Sequence, residues 1–176
     1  MKMTIEEMMQ VESAKAELEK MVLQVNAKEA AAKQAAVNAA AKDFKAYFAA
    51  RKFEITGHAW HLIATYGAIV FKLAIKNSAA GGLECLTLHY PEMTKMAPLD
   101  IHLEAKPDKA AAVAASAAAQ QNPLAEIRAK IDQMLERLNS PPREWFFYSN
   151  VPDGGTGTVR RKDYATFTRF LNEECP

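Results

Sequence analysis

The sequence predicts an α+β protein, in which a long, alanine-rich N-terminal helix precedes a small antiparallel sheet packed with helices. Two observations lead to this prediction. No Gly or Pro occurs before Gly57, so nothing in the first third of the chain interrupts a helix. Beyond that point, segments in which apolar and polar residues alternate, as in strands, are followed by segments with helical spacing. We therefore divide the chain into a helical stalk, residues 1–52, and an α+β body, residues 53–176.

The stalk helix is expected to run from Thr4 to about Phe53. Thr4 and Glu7 have the spacing of a capping box, in which each side chain accepts a hydrogen bond from the other's backbone amide. Half of the residues from 27 to 50 are Ala, which has the highest helix propensity. Such a helix spans roughly 70 Å, whereas a compact body made of the remaining residues would be about 30 Å across. The helix must therefore project, fold back or pair with another chain.

One face of the first half of this helix is apolar, and we predict that it joins two or more copies of the chain. A spacing of three and four residues places the apolar side chains on one side. An isolated helix is only marginally stable in water, so this stripe needs a partner surface. The alternatives are a break near Asn26 or Asn38, which would let two shorter helices pack together, and a free helical spacer. The predicted interface residues are Val11, Leu18, Met21, Val22 and Val25.

The body is expected to contain several short strands. Residues 58–67 fit either the helical or the strand period, and residues 77–82 have the composition of a hairpin loop. The segments with the alternation or apolar character of strands are residues 53–56, 71–76, 83–90, 99–105 and 145–148.

The remainder of the body has helical or biased composition. An alanine-rich run, residues 107–121, is either a short helix or a linker. Asn122 and Pro123 have the types expected at the cap and first position of a helix, which ends before Pro141. Ile131 and Leu135 lie on its apolar face and are expected to contact the sheet. After a loop over residues 149–158, a last helix is expected to carry Tyr164, Phe167, Phe170 and Leu171.

Composition argues against several classes of protein. The chain has 22 Lys and Arg against 21 Asp and Glu, so it offers no overall field to attract nucleic acid or an acidic membrane. Its two cysteines, Cys85 and Cys175, lie far apart and do not suggest a disulfide framework. No apolar run approaches the length of a membrane span, and no apolar signal core follows Met1. We expect a cytoplasmic protein that makes no contact with a membrane.

A Gly-rich loop followed by a basic cluster is the most suggestive local feature. If the cluster opened the last helix, free backbone amides at that end, together with three cations, could hold a phosphate. The Walker and dinucleotide patterns are absent, and a flexible turn beside solvated cations explains the same residues. The candidate anion-binding residues are Gly155, Thr156, Gly157, Arg160, Arg161 and Lys162.

No set of residues argues for catalysis, a metal or a cofactor. His58 and His61, together with Cys85 and His89, could supply a tetrahedral zinc site, but no CxxC or HExxH motif occurs. Cys85 falls within an apolar strand, and Ser149 is expected in a loop without the nucleophile-elbow pattern. We predict no catalytic residue, no metal and no cofactor.

The pattern as a whole favours a non-catalytic protein-binding module of the adaptor or inhibitor type. In this interpretation the helix assembles copies of the chain, and the body recognises another protein. A long helix joined to a small mixed domain is similar to phage and plasmid accessory proteins, at the level of fold only. The alternative is a nucleic-acid or phosphate-binding protein that uses residues 153–162, with the aromatic residues 145–148 available for stacking on bases.

Overall fold

The computed structural model describes residues 4–58, 60–77, 83–106, 123–152 and 159–175, and these residues form an α+β fold. Its helices are α1 (Ile5–Ala49), α2 (Pro123–Asn139) and α3 (Phe167–Glu174). A short 3₁₀ turn spans Glu92–Thr94. The strands are β1 (Glu54–His58), β2 (His61–Tyr66), β3 (Ile69–Asn77), β4 (Leu83–His89), β5 (Leu99–Ala105), β6 (Trp145–Pro152) and β7 (Val159–Tyr164).

Helix α1 is one continuous helix of 45 residues. At its start the amide of Thr4 donates to Oε2 of Glu7 (2.8 Å) and the amide of Glu7 donates to Oγ1 of Thr4 (3.2 Å). These two bonds satisfy free amides of the first turn and confirm the predicted capping box. Because the helix is unbroken at Asn26 and Asn38, the alternative of two shorter helices is wrong.

The end of α1 is closed by a Schellman motif. Lys52 adopts a left-handed conformation, with a φ of 65°. The amide of Phe53 then donates to the carbonyl of Phe48, and the amide of Lys52 to that of Ala49, both at 3.0 Å. The rings of Phe48 and Phe53 lie 5.1 Å apart, which supplies the apolar contact that accompanies this motif.

The chain divides into two compact units, each made of two separate stretches of sequence. The first contains residues 1–32 and 107–143, and the second contains residues 33–106 and 144–176. The division within α1 therefore falls at residue 32, and the second half of the helix belongs to the unit that contains the sheet.

In the first unit, the C-terminal end of α2 is held by side chains of α1. The Lys28 ammonium donates to the carbonyls of Arg137 (3.1 Å), Leu138 (2.9 Å) and Ser140. One carboxylate oxygen of Glu29 accepts from Arg137 at 2.7 Å. A cation placed on the free carbonyls of a helix C-terminus satisfies them and opposes the negative end of the helix dipole.

In the second unit, all seven strands form one sheet in which each pairs antiparallel with the next in sequence. Leu62 lies opposite Leu73, and Leu73 lies opposite Leu88, so all three side chains point to the same face. Each of the five predicted strand segments overlaps a strand, and within the ambiguous segment 58–67, His58 lies in β1 and residues 61–66 form β2.

The hydrophobic core of this unit covers one face of the sheet. Its α1 side chains recur at the three-and-four spacing expected of a helix that packs on one side. Phe44, Phe48 and Phe170 are almost completely buried. The core consists of Val37, Ala40, Phe44, Tyr47 and Phe48 from α1; Leu62, Ala64, Leu73, Leu86, Leu88, Ile101, Phe147 and Tyr164 from the strands; and Phe167, Phe170, Leu171 and Cys175 from α3 and its end.

Two expectations about the later elements are wrong. Residues 159–164 form strand β7 rather than the start of the last helix, and α3 begins only at Phe167, where the Thr166 side chain caps it. Ser149 lies in β6 and is fully buried, not in a loop. Leu135 is 40 % exposed, whereas Ile131 on the same helix is buried, so the buried face of α2 is narrower than its apolar stripe suggests.

Candidate functional site

Most of the side chains predicted to join copies of the chain lie on a face of α1 that is buried or half-buried. Val25 is only 3 % exposed, Val11, Leu18 and Met21 are half-buried, and Val22 keeps more of its surface in solvent. Most of this stripe is therefore already covered within a single chain.

A second apolar row on α1 is exposed. Ile5, Met9 and Leu23 are 73 %, 68 % and 70 % exposed. At 3.6 residues per turn the three side chains lie within about 40° of one another around the helix, on the side opposite Ala14 and Val25. The first half of α1 therefore presents apolar groups on two sides, and only one of them is covered.

The predicted anion-binding cluster is only partly described by the structure, since Gly155, Thr156 and Gly157 lie outside the described residues. Arg160, Arg161 and Lys162 lie on strand β7. The prediction that they lie beside a helix N-terminus able to hold a phosphate is therefore wrong.

Two of these cations already have carboxylate partners. Arg161 pairs with Glu104 and Asp163, and its guanidinium lies 4.0 Å from the centre of the Tyr148 ring. Lys162 contacts Glu173 at 3.0 Å and Glu174 at 2.6 Å. Any phosphate would have to compete with these pairs, so the cluster is a weaker anion site than its sequence suggests.

A cleft opens in the sheet between β5 and β6. The two strands pair from Ile101↔Ser149 to Ala105↔Trp145. Leu99 and Asp100, before this ladder on β5, pair only with β4, and residues 150–152 of β6 pair only with β7. The strands thus separate at this end and leave two backbone edges that face each other without a ladder.

The cleft has a volume of about 440 Å³, within the range of small-molecule sites. Its walls combine apolar side chains with a few polar ones. Among the described residues that line it, the charged ones are Asp100 and Glu174, and both are acidic. The lining residues are Tyr90, Met96, Ala97, Pro98, Leu99, Asp100, His102, Asn150, Val151 and Glu174.

Both carboxylates are held in place through one oxygen. Oδ1 of Asp100 accepts from the Thr87 hydroxyl at 2.6 Å and from Lys76 at 3.3 Å. These contacts, first the hydrogen bond from Thr87, lower the pKa of Asp100, which keeps it ionised at neutral pH. Oε1 of Glu174 accepts from the Tyr164 hydroxyl and from Lys162.

A buried chain of hydroxyls leads to Glu174. Tyr164 is 1 % exposed and donates to Glu174 at 2.7 Å, while its oxygen lies 3.3 Å from that of Ser149. Burial, aided by the carboxylate, raises the pKa of Tyr164 to about 12. Ser149 is fully buried, and among the described residues its hydroxyl contacts the Tyr164 hydroxyl rather than a histidine or carboxylate base, so this chain positions Glu174 and does not form a nucleophilic site.

Two further titratable groups lie beside the cleft. The Tyr90 hydroxyl is buried without a hydrogen-bond partner in the described part of the chain, and burial raises its pKa. The Cys175 thiol is buried as well, and burial raises its pKa to about 12. Neither Cys175 nor Cys85 forms a disulfide bond.

The histidines do not assemble a metal site in the residues that the structure describes. Register places all four on the face of the sheet opposite the core, where His58 pairs with His61 on the adjacent strand. No group of three or more His, Cys, Asp or Glu side chains with metal-binding geometry occurs among the described residues.

Sequence reasoning missed the cleft because no local motif marks it. Asp100 belongs to a regular strand pattern, and Glu174 lies near a charged terminus. The cleft itself arises only from the point at which β5 and β6 separate, which depends on residues far apart in sequence. The sequence offered one signal for this cleft, namely that Tyr90 and Tyr164 carry hydroxyls within apolar segments.

Comparison of the chain with protein-family models, with curated proteins and with solved structures gives no match. Among the described helices, none combines the length and the apolar character needed to cross a bilayer.

Proposed function

We propose that the protein is a non-catalytic protein-binding module that self-associates through its N-terminal helix. The observation that carries this proposal is the exposed apolar row of Ile5, Met9 and Leu23 on α1. Single exposed apolar side chains are common on protein surfaces. A row of them along one side of a helix is typical of a contact with another helix.

The spacing of the row fits a helix pair. Met9, Ala16, Leu23 and Ala30 are exposed and follow one another at intervals of seven, the spacing of one of the two core positions in a coiled-coil heptad. The two alanines let a second helix approach closely, and the larger side chains fill the contact between them.

The sheet unit supplies surfaces for recognition of another protein. Trp60, at the tip of the β1–β2 hairpin, is 43 % exposed, and Met93 and Met96 are exposed between β4 and β5. Trp is enriched among residues that dominate binding energy, and Met adapts to varied partner surfaces.

Light scattering at tens of micromolar protein tests the self-association. We expect the wild-type chain to have at least the mass of a dimer, and the double variant Met9→Glu, Leu23→Glu to be a monomer. The matched control is Gln10→Glu with Gln24→Glu, which adds the same charges at the same spacing on exposed neighbouring positions. A monomeric wild type, or equal masses for both double variants, would overturn the proposal.

The alternative of nucleic-acid or phosphate binding is supported less well, because Arg161 and Lys162 are paired with carboxylates. A salt titration separates it from protein binding, since contacts to phosphates make affinity fall steeply with salt.

A further inference from the structure

The two edges of the sheet differ in charge. Within the described residues, β1 pairs only with β2 and β7 only with β6, so each has one backbone edge without a partner strand. Such an edge can receive a strand from another chain, and cations along it discourage this. β7 carries three cations, Arg160, Arg161 and Lys162, whereas the ionisable residues of β1 are Glu54 and His58, at its two ends. The edge of β1 is therefore the less protected one.

The edge of β1 is also open to solvent. Glu54, Thr56, Gly57 and His58 are exposed, and only Ile55, which packs against the core, is half-buried. The outward backbone groups of an exposed edge strand are hydrogen-bonded to water unless another strand pairs with them. This edge can accordingly accept a strand without any rearrangement of the sheet.

The sequence of β1 is complementary to itself when two copies run antiparallel about Thr56. In this register Glu54 lies opposite His58 of the second copy, and Thr56 lies opposite its own counterpart. Opposite charges and paired threonines directly across two strands are favourable. Ile55 lies opposite Gly57, which has no side chain to crowd it. A shift by one residue would place outward backbone groups opposite inward ones, so the ladder could not form.

Both end residues of β1 are available for this contact. Among the described residues, no ion pair involves Glu54. The amide of Trp60 donates to Nδ1 of His58 at 3.4 Å, so in the neutral ring Nε2 carries the proton and can donate to a carboxylate.

The edge of β7 does not have this complementarity. Its central antiparallel registers place Arg161 opposite Arg161, or Lys162 opposite Lys162, of the second copy. Like charges directly opposite each other are destabilising. The second copy is therefore favoured at one edge of the sheet and disfavoured at the other.

We propose that β1 is an interaction surface for a second copy of this chain, which pairs antiparallel with it about a two-fold axis at Thr56. Directly opposite residues point to the same side, so the two sheets become one continuous sheet with both core faces on one side. The contact involves only the five residues of β1 on each copy, so it is weak on its own. It goes beyond the helix contact proposed above, with which it shares no residue.

Disulfide trapping of Thr56→Cys in a glutathione redox buffer tests this register in the full-length protein. The two Cα atoms would lie about 4.5 to 5.5 Å apart, within the range that a disulfide spans. Glu54→Cys is the matched control on the same strand, because two copies of residue 54 would be separated by about 13 Å. Val159→Cys, at an exposed position of β7, measures random collision. The native Cys85 and Cys175 are buried.

We expect Thr56→Cys to give about tenfold more covalent dimer than either control, since pairing raises the local concentration of the two thiols. The charges give a second readout. Glu54→Lys, added to Thr56→Cys, should lower the yield about threefold to tenfold through the loss of two opposite-charge pairs. Adding His58→Glu should restore it. Circular dichroism melts establish that each variant is folded.

Trapping should persist when Met9→Glu and Leu23→Glu are also present, because α1 is not part of this surface. The mass of that variant without the added cysteine tests the helix contact separately, so either contact can fail without the other. Equal yields from the three single-cysteine variants would mean that β1 is a solvated edge or receives a strand of a different protein, and would overturn the proposal. Failure of His58→Glu to restore trapping, or loss of trapping in the α1 variant, would do the same.

Discussion

Replacing Lys28 by Met tests whether the contact between α1 and the end of α2 stabilises the first unit. The ammonium of Lys28 donates to the carbonyls of Arg137, Leu138 and Ser140. Met keeps an unbranched apolar stem of similar length, so the substitution removes the charge and its three hydrogen bonds with little loss of packing. The three carbonyls at the end of α2 would lose this donor and could hydrogen-bond only to water.

The expected loss of local stability is about 1 to 3 kcal/mol, from a charged hydrogen-bonding group removed at a partly buried helix C-terminus. Hydrogen exchange is the suitable assay, because the two units need not unfold together. Amides of the last turn of α2, residues 136–140, should exchange faster in the variant by one to two orders of magnitude, at about 1.4 kcal/mol per order.

Lys15→Met is the control for this experiment. Lys15 makes an exposed ion pair with Glu12 on the same helix, and its loss should change stability by less than about 0.5 kcal/mol. If Lys28→Met and Lys15→Met have equal effects on exchange in α2, the contact with Lys28 contributes nothing and the argument fails.

Further predictions concern the sheet unit. Gly57 and Gly67 both have positive φ, but a Cβ on Gly57 would lie 2.1 Å from the carbonyl oxygen of His61, whereas Gly67 faces open space. Thermal melts should therefore show a larger loss for Gly57→Ala than for Gly67→Ala, which incurs only the left-handed strain of about 1 to 2 kcal/mol. Lys52→Gly should raise stability by up to about 1 kcal/mol in the same assay, since it relieves that strain. Burial raises the pKa of Cys175 to about 12, so folding favours its neutral thiol. The stability that the folded state gains from this preference is complete below the ordinary thiol pKa and is lost as pH rises towards 12. Cys175 should accordingly react slowly with a thiol reagent at pH 8 and rapidly after denaturation, and equal rates in the two states would contradict its burial.

The elements that local sequence determines were predictable. Thr4 and Glu7 form a capping box within one turn, and the alanines after it favour a helix without tertiary help. Strand β5 was predictable because Leu99, Ile101 and Leu103 alternate with polar residues and pack on the core face.

Strand β7 was not predictable in this way. Its positions on the core-facing side include Lys162, opposite Ser149, and a lysine there normally argues against burial. Glu173 and Glu174 compensate this charge from α3. Because these partners lie on another element, the sequence of β7 by itself is typical of a solvated basic segment. The adjacent Gly-rich loop then suggests that a helix starts here.

The two sides of α1 illustrate a second limit. Helical spacing correctly identified an apolar face that includes Val25. It could not show that Lys28 and Glu29 of the same helix hold α2 within the chain, or that Met9 and Leu23 stay exposed. Covering surfaces come from elements distant in sequence, and a pattern in one helix does not identify them.

The arrangement of β5 and β6 has a consequence for how this chain can be shortened. Ala105 and Trp145 are directly opposite each other, and the amide of Lys106 donates to the carbonyl of Glu144 at 2.9 Å. The chain therefore leaves the sheet unit after Lys106 and returns to it at Glu144, at adjacent points, so residues 107–143 are an insertion in the connection between β5 and β6. A tight Asn-Gly turn could replace it and would lower the entropy cost of closing the loop by roughly 2 to 3 kcal/mol. This excision would remove α2, whereas residues 1–32 of the first unit would stay attached to the sheet unit through the continuous helix α1.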